Sequence, residues 1–183
     1  MIKLTLEELK VKVLTLIEEY SDNSETLTND EDIAAKLNGV INMIQNEMAR
    51  FKKIDGYTEL DVEENQEISL EDIDRNLYQL NLIRGVEYSV IGNRVLFNEA
   101  GTAKVYFYKY PTTINDDTDD SFVMELANDA LEVAVYGIAA DLLKSDVSSN
   151  YGAVYANRYR ELIESLDPRN TMFSISIDGS SNI

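Results

Sequence analysis

The spacing of apolar positions changes twice along the chain and divides it into helical, extended and again helical stretches. Leu4, Leu6, Leu9, Val13, Leu16 and Ile17 recur at helical spacing among alternating lysines and glutamates. Thr5 and Glu8 make a capping-box pattern, in which hydroxyl and carboxylate each satisfy a free amide of the first turn. A first helix is therefore expected from about residue 5 to 20. Residues 21–32 are short, polar and loop-like. From Asp30 or Glu31, the series Ile33, Leu37, Ile41, Ile44, Met48 and Phe51 advances in steps of three and four, which lays one apolar stripe along a long helix. Its acidic opening and its closing Arg50, Lys52 and Lys53 both complement the helix macrodipole.

Beyond the breaker pair Asp55-Gly56 the period shortens. YTELDVEENQEISL predicts two short strands about a Glu-Asn-Gln turn, and residues 71–79 predict an irregular or helical turn. LNLIRGVEYSVI and RVLFN flank Gly92-Asn93, where glycine supplies the backbone freedom that the first corner of a type II′ hairpin turn needs. Residues 103–110, AKVYFYKY, form an aromatic and β-branched strand closed by Pro111. An acidic linker, 112–121, leads into a helix capped by Asp120 or Ser121. That helix carries Ala127, Ala130, Ala134, Gly137, Ala139 and Ala140 for close helix approach, with Asp141 interrupting a buried run. A last helix through Tyr155, Tyr159, Leu162 and Leu166 stops at Asp167-Pro168. In residues 172–183, Phe173, Ile175 and Ile177 alternate with polar residues, the pattern either of a strand that pairs with the hairpin or another molecule, or of a terminus without fixed structure.

The expected fold class is α+β, mainly α: a four-helix core over residues 1–170, a β-hairpin-rich insertion at about 56–111, and a tail at 171–183 holding a candidate C-terminal docking strand.

Composition narrows the chemistry. The 183 residues include 34 acidic and 16 basic side chains, a formal charge of −18, and no cysteine, histidine or tryptophan. Disulfides, thiol nucleophiles, imidazole bases and imidazole metal ligands are excluded outright. The charged opening and the lack of an apolar run near 20 residues predict no export segment and no membrane span. So negative a chain repels phosphate backbones, which argues against sequence-specific nucleic-acid binding. Asp116, Asp117, Asp119 and Asp120 lack the spacing and central glycine of a calcium loop, and Asp61, Glu63, Glu64 and Glu67 show no rigid acid-base pairing. No nucleophile elbow, phosphate loop or dinucleotide fingerprint occurs. The expectation is a non-enzyme with no catalytic residue, no metal and no cofactor.

The candidates that remain are contact residues. Tyr106, Tyr108 and Tyr110 place rings along one strand, where rings with a polar edge serve either a core or an interface. Arg50, Lys52 and Lys53 either complement a helix end or meet an acidic neighbouring subunit, in which case assembly is salt-sensitive. Gly92, Asn93 and Arg94 present a hairpin loop, and Phe173, Ile175 and Ile177 present the docking strand.

Two N-terminal helices, the segment LNGVINMIQNEMAR, a β-rich middle, the strand AKVYFYKYP, an acidic linker and the helices ELANDALEVAVYGIAADLL and NRYRELIESLDPRN follow one another in an order that resembles tailed-bacteriophage head-tail connector, or adaptor, proteins. The resemblance covers most of residues 30–170. It departs at ISLEDIDRNLYQL, where that family often has a proline-containing ISLP step. It implies a structural virion protein at the head-tail interface, assembled from host cytoplasm into a homo-oligomeric ring of about twelve copies below the portal protein. It further implies contacts with tail or neck proteins, DNA passing through the lumen without sequence-specific binding, and no membrane. The rival expectation is an acidic interaction or assembly factor, or an inhibitor that mimics nucleic-acid charge, working in a small discrete complex.

Overall fold

A computed structural model describes residues 3–146 and 150–166. In chain order the elements are α1 (Leu6–Leu16), α2 (Glu31–Phe51), β1 (Ile54–Val62), β2 (Gln66–Ser69), α3 (Leu70–Ile73), β3 (Leu77–Arg84), β4 (Tyr88–Ile91), β5 (Arg94–Phe97), β6 (Gly101–Lys109), α4 (Asn128–Leu142) and α5 (Tyr151–Leu166). The expected docking strand, with Phe173, Ile175 and Ile177, lies outside the described residues.

The architecture is a mixed α+β fold, 42% helix and 25% strand, with five helices and two three-stranded antiparallel sheets among the described residues. The expectation of a mainly α protein on a four-helix core is thereby overturned. The physical reason is that the middle of the chain closes a core of its own. One sheet runs β1-β6-β3 and the other β2-β5-β4. Val62, Ile83, Ala103, Val105 and Phe107 from the first meet Val95 and Phe97 from the second. A separate cluster joins α1, α2, α4 and α5 through residues such as Leu9, Ile41, Met48, Leu131 and Ile138.

Several local expectations are corrected. Gly56 does not break the chain but sits inside β1 opposite Phe107, whose ring lies where a glycine Cβ would be. The long run 80–91 is two strands, because Gly85, at φ +99°, turns the backbone against the Thr102 carbonyl. Helix α1 keeps its Thr5–Glu8 capping box but ends at Leu16, short of residue 20. Helix α4 is not capped by Asp120 or Ser121; it begins at Asn128, with Ala127 in the cap position. The preceding residues instead serve α1, whose Leu6 and Glu7 amides donate to the Phe122 and Asp120 carbonyls at 2.8 and 3.0 Å. Free amides at a helix start need acceptors, and the linker backbone supplies two of them.

The helical and extended parts meet where α2 runs into β1 and where β6 leaves. The two strands begin and end side by side, with Ile54 opposite Lys109. Tyr78 of β3 donates to the Ala49 carbonyl at 3.0 Å, and its ring lies 4.6 Å from that of Tyr110. Lys109 pairs with Glu125 at 2.7 Å, tying the end of β6 to the segment before α4.

Candidate interaction surface

Strand β6 alternates strictly. Ala103, Val105 and Phe107 point into the β core and are buried, so Lys104, Tyr106 and Tyr108 must point to the opposite side of the sheet. The register brings Tyr57 of β1 beside Tyr106, and Leu82 and Arg84 of β3 beside Tyr106 and Lys104. This outer face is an aromatic row, and its tyrosines are met by cations. The Lys53 ammonium lies 4.0 Å from the centre of the Tyr108 ring, and the Arg84 guanidinium 5.9 Å from that of Tyr106. Arg50, at the end of α2, donates twice to the Tyr110 hydroxyl, at 3.2 and 3.0 Å. Tyr57 and Tyr106 stand with ring centres 5.0 Å apart.

The ionisable groups on this side are polarised by one another. Tyr57 donates its hydroxyl to Glu59, and that bond to a carboxylate pushes the phenol up to about 12. Burial raises Tyr78, and its neighbours Tyr110 and Tyr108 add to the effect. At the foot of β6, burial works against the Glu125 carboxylate, but the Lys109 ammonium and the Thr112 amide outweigh it and hold the pKa below the ordinary glutamate value.

Of the residues expected at contacts, Arg50, Lys53, Tyr106, Tyr108 and Tyr110 come together on this face. Lys52 does not join them: it turns to Asp129 of α4 at 2.8 Å, and its ammonium lowers that carboxyl below the usual range. Gly92, Asn93 and Arg94 lie on the other sheet, at the β4–β5 hairpin. Gly92 has φ +63°, the Asn93 carbonyl accepts from the Leu70 amide, and Arg94 pairs with Glu67 at 3.2 Å. Val90 and Ile91, just before that turn, are 50% and 61% exposed, an apolar tip on a charged protein.

Sequence reasoning missed Tyr57 and Arg84 as members of the row, since only the long-range register places them beside Tyr106. It also missed a polar stripe on α2. Asn38, Asn42 and Gln45, at helical spacing of four and three, clamp the acidic linker. Asn42 donates to the Ile114 carbonyl at 2.7 Å and accepts from its amide at 2.8 Å. Gln45 donates to the Thr112 carbonyl at 3.1 Å, and Asn38 to Asp116 at 3.0 Å. The signal was present as amide side chains one and two turns apart on an otherwise amphipathic helix.

The carboxylates weighed for chemistry are dispersed into local contacts. Asp119 accepts from the Ser121 amide at 2.8 Å, Asp120 pairs with Lys10 at 2.9 Å, and Asp61 accepts from Thr102 at 2.8 Å. Among the described residues no three such groups come together in a way that could hold a metal ion, and no helix is long and apolar enough to cross a membrane. A groove of 570 Å³ between α2, α4 and α5 is lined by Met43, Glu47, Gly137, Ala140, Ala156 and Tyr159. Comparison with protein-family models and with curated proteins found no match.

Proposed function

We propose that this chain is a structural subunit of a tailed-bacteriophage head-tail connector. In this reading about twelve copies form a ring below the portal protein, present a surface to tail or neck proteins, and enclose a channel through which DNA passes. The observation that supports it most is the outer face of the β1-β6-β3 sheet, where rings and cations are set in a row on a regular scaffold. Such a face suits repeated contacts between protein subunits, because aromatic side chains add area at low entropic cost and cations add register. The apolar Val90-Ile91 tip offers a second contact point on the other sheet.

The charge of −18 fits the same role. A ring whose lumen is lined with carboxylates repels the DNA backbone and lets it slide rather than adhere. The protein would then reside in the virion, at the head-tail interface, after assembly in the host cytoplasm. Native mass measurement with and without a candidate portal protein tests the reading. A ring-sized complex on the portal is the expected result. A small complex of fixed stoichiometry with some other partner, and indifference to portals, would favour an acidic assembly factor instead.

A further inference from the structure

Formal charge and its placement disagree in an informative way. The chain carries 34 acids against 16 bases, yet Arg50, Lys53 and Arg84, which form no ion pair among the described residues, all lie against the tyrosine row. Among the described residues eight other cations are in ion pairs, one of them, Lys104 with Glu59, on this face, and Lys3, Lys36, Arg75 and Arg160 form none either. With Lys104, the three cations of the tyrosine row stand against Asp55, Glu59 and Asp61 of β1, so on a chain of net charge −18 this face carries more bases than acids, and its unpaired cations are stacked on rings that hold them in position.

The complementary surface is at the other end of the same helix. Residues 115–120 carry Asp116, Asp117, Asp119 and Asp120, all exposed, and among the described residues only Asp120 of these is in an ion pair. The loop is held rather than loose: Asn38 binds Asp116, Asn42 binds Ile114 from both sides, and Asn115 and Thr118 bond across the turn. Asn38 and Arg50 are twelve residues apart on α2, which separates the two surfaces by about 18 Å along a rigid rod. They cannot meet within one molecule.

We infer that the outer face of the β1-β6-β3 sheet, through Arg50, Lys53, Arg84, Tyr106 and Tyr108, docks the acidic loop 115–120 of a second copy of this chain. The contact joins two different patches, so it is head-to-tail and propagates to a closed ring or an open filament. It rests on the connector reading in one respect, that copies of the chain associate side by side. Coulombic pairing at a rim-like surface makes the association sensitive to salt, with a screening length of about 8 Å at physiological ionic strength.

Sedimentation velocity on the full chain tests it. Wild-type protein is expected to associate with rising concentration, about tenfold more weakly in 0.5 M than in 0.05 M salt. Lys53→Gln with Arg84→Gln in one chain, and Asp116→Asn with Asp117→Asn in another, are each expected to stay monomeric with unchanged thermal unfolding. An equimolar mixture of the two has one live face and one live loop to share, and is expected to stop at a one-to-one dimer. Wild-type protein that stays monomeric at every salt, a neutralised face that associates like wild type, or a mixture that gives no dimer each overturns the inference. So does single-stranded DNA bound by the face in place of self-association. The connector reading fails separately: neutralised variants that still form rings on a portal refute this contact alone, and wild type that self-associates as described but ignores portals refutes the connector alone.

Discussion

The two faces of strand β6 are built from the same nine residues and do opposite work. Its inner face, Ala103, Val105 and Phe107, is almost fully buried against β5 and closes the β core. Its outer face, Lys104, Tyr106 and Tyr108, is left partly open and covered by the charged ends of Lys53 and Arg84. The difference shows why aromatic content alone does not separate a core from an interface. Phe107 has no polar atom and is buried to 2% exposure, while the tyrosines keep a hydroxyl at the edge and a cation beside the ring. The outer side also sets three cations that form no ion pair among the described residues, Arg50, Lys53 and Arg84, each against a ring.

The largest effect should come from breaking the inner face. Phe107→Ala removes a ring that packs over Gly56 and against the β core, and is expected to cost about 3–5 kcal/mol in denaturant unfolding. A loss that large is a substantial share of the roughly 5–15 kcal/mol typical of whole domains. A loss below about 1 kcal/mol would mean that the two faces are not divided as described. Next, Asn42→Ala leaves the amide and carbonyl of the buried Ile114 without partners and should cost about 1–3 kcal/mol, while freeing the acidic loop for faster amide hydrogen exchange.

A smaller and pH-dependent effect is expected where β6 meets the helical part. Glu125 has its folded pKa below the unfolded value, so its contribution to stability is full above the unfolded pKa and fades as pH falls through the folded one. Glu125→Gln should therefore cost about 1 kcal/mol near neutrality, allowing for solvent screening of a pair about a quarter exposed on each side, and little in acid. Chemical unfolding of both proteins between neutral and acid pH measures the convergence. The smallest effect on stability belongs to the outer face: Lys53→Gln with Arg84→Gln should shift unfolding by about 0.5 kcal/mol or less. A large shift would make these cations part of the fold rather than of a contact.

How much of this was legible in the chain depended on the range of the interactions. Helix α2 was legible because its stripe is local: Ile33, Leu37, Ile41, Ile44 and Met48 are all buried, at the spacing that predicts it. The alternation of β6 was equally plain. What could not be read was pairing over distance. Gly56 looked like a breaker because its strand conformation depends on Phe107, fifty-one positions away. The start of α4 was misplaced because residues 120–124 bond through their backbone to the start of α1, a role with no side-chain signature. The same limit applied to the surface. Arg50, Lys53 and the three tyrosines were legible as candidates one by one, whereas their assembly with Arg84 and Tyr57 required the sheet register. The balance between helix and strand was misjudged for the same reason, since seven scattered residues make a second core only after six strands have paired.

The absence of cysteine allows a direct test of the contact between copies. Lys104→Cys puts a thiol on the outer face beside Arg84 and Tyr106, and Asp117→Cys puts one on the acidic loop. Under mild oxidation at low salt, the mixture of the two variants should give a disulfide-linked dimer much faster than either variant alone, and the advantage should vanish at high salt. Crosslinking of each variant with itself as fast as in the mixture would contradict a head-to-tail contact between this face and this loop.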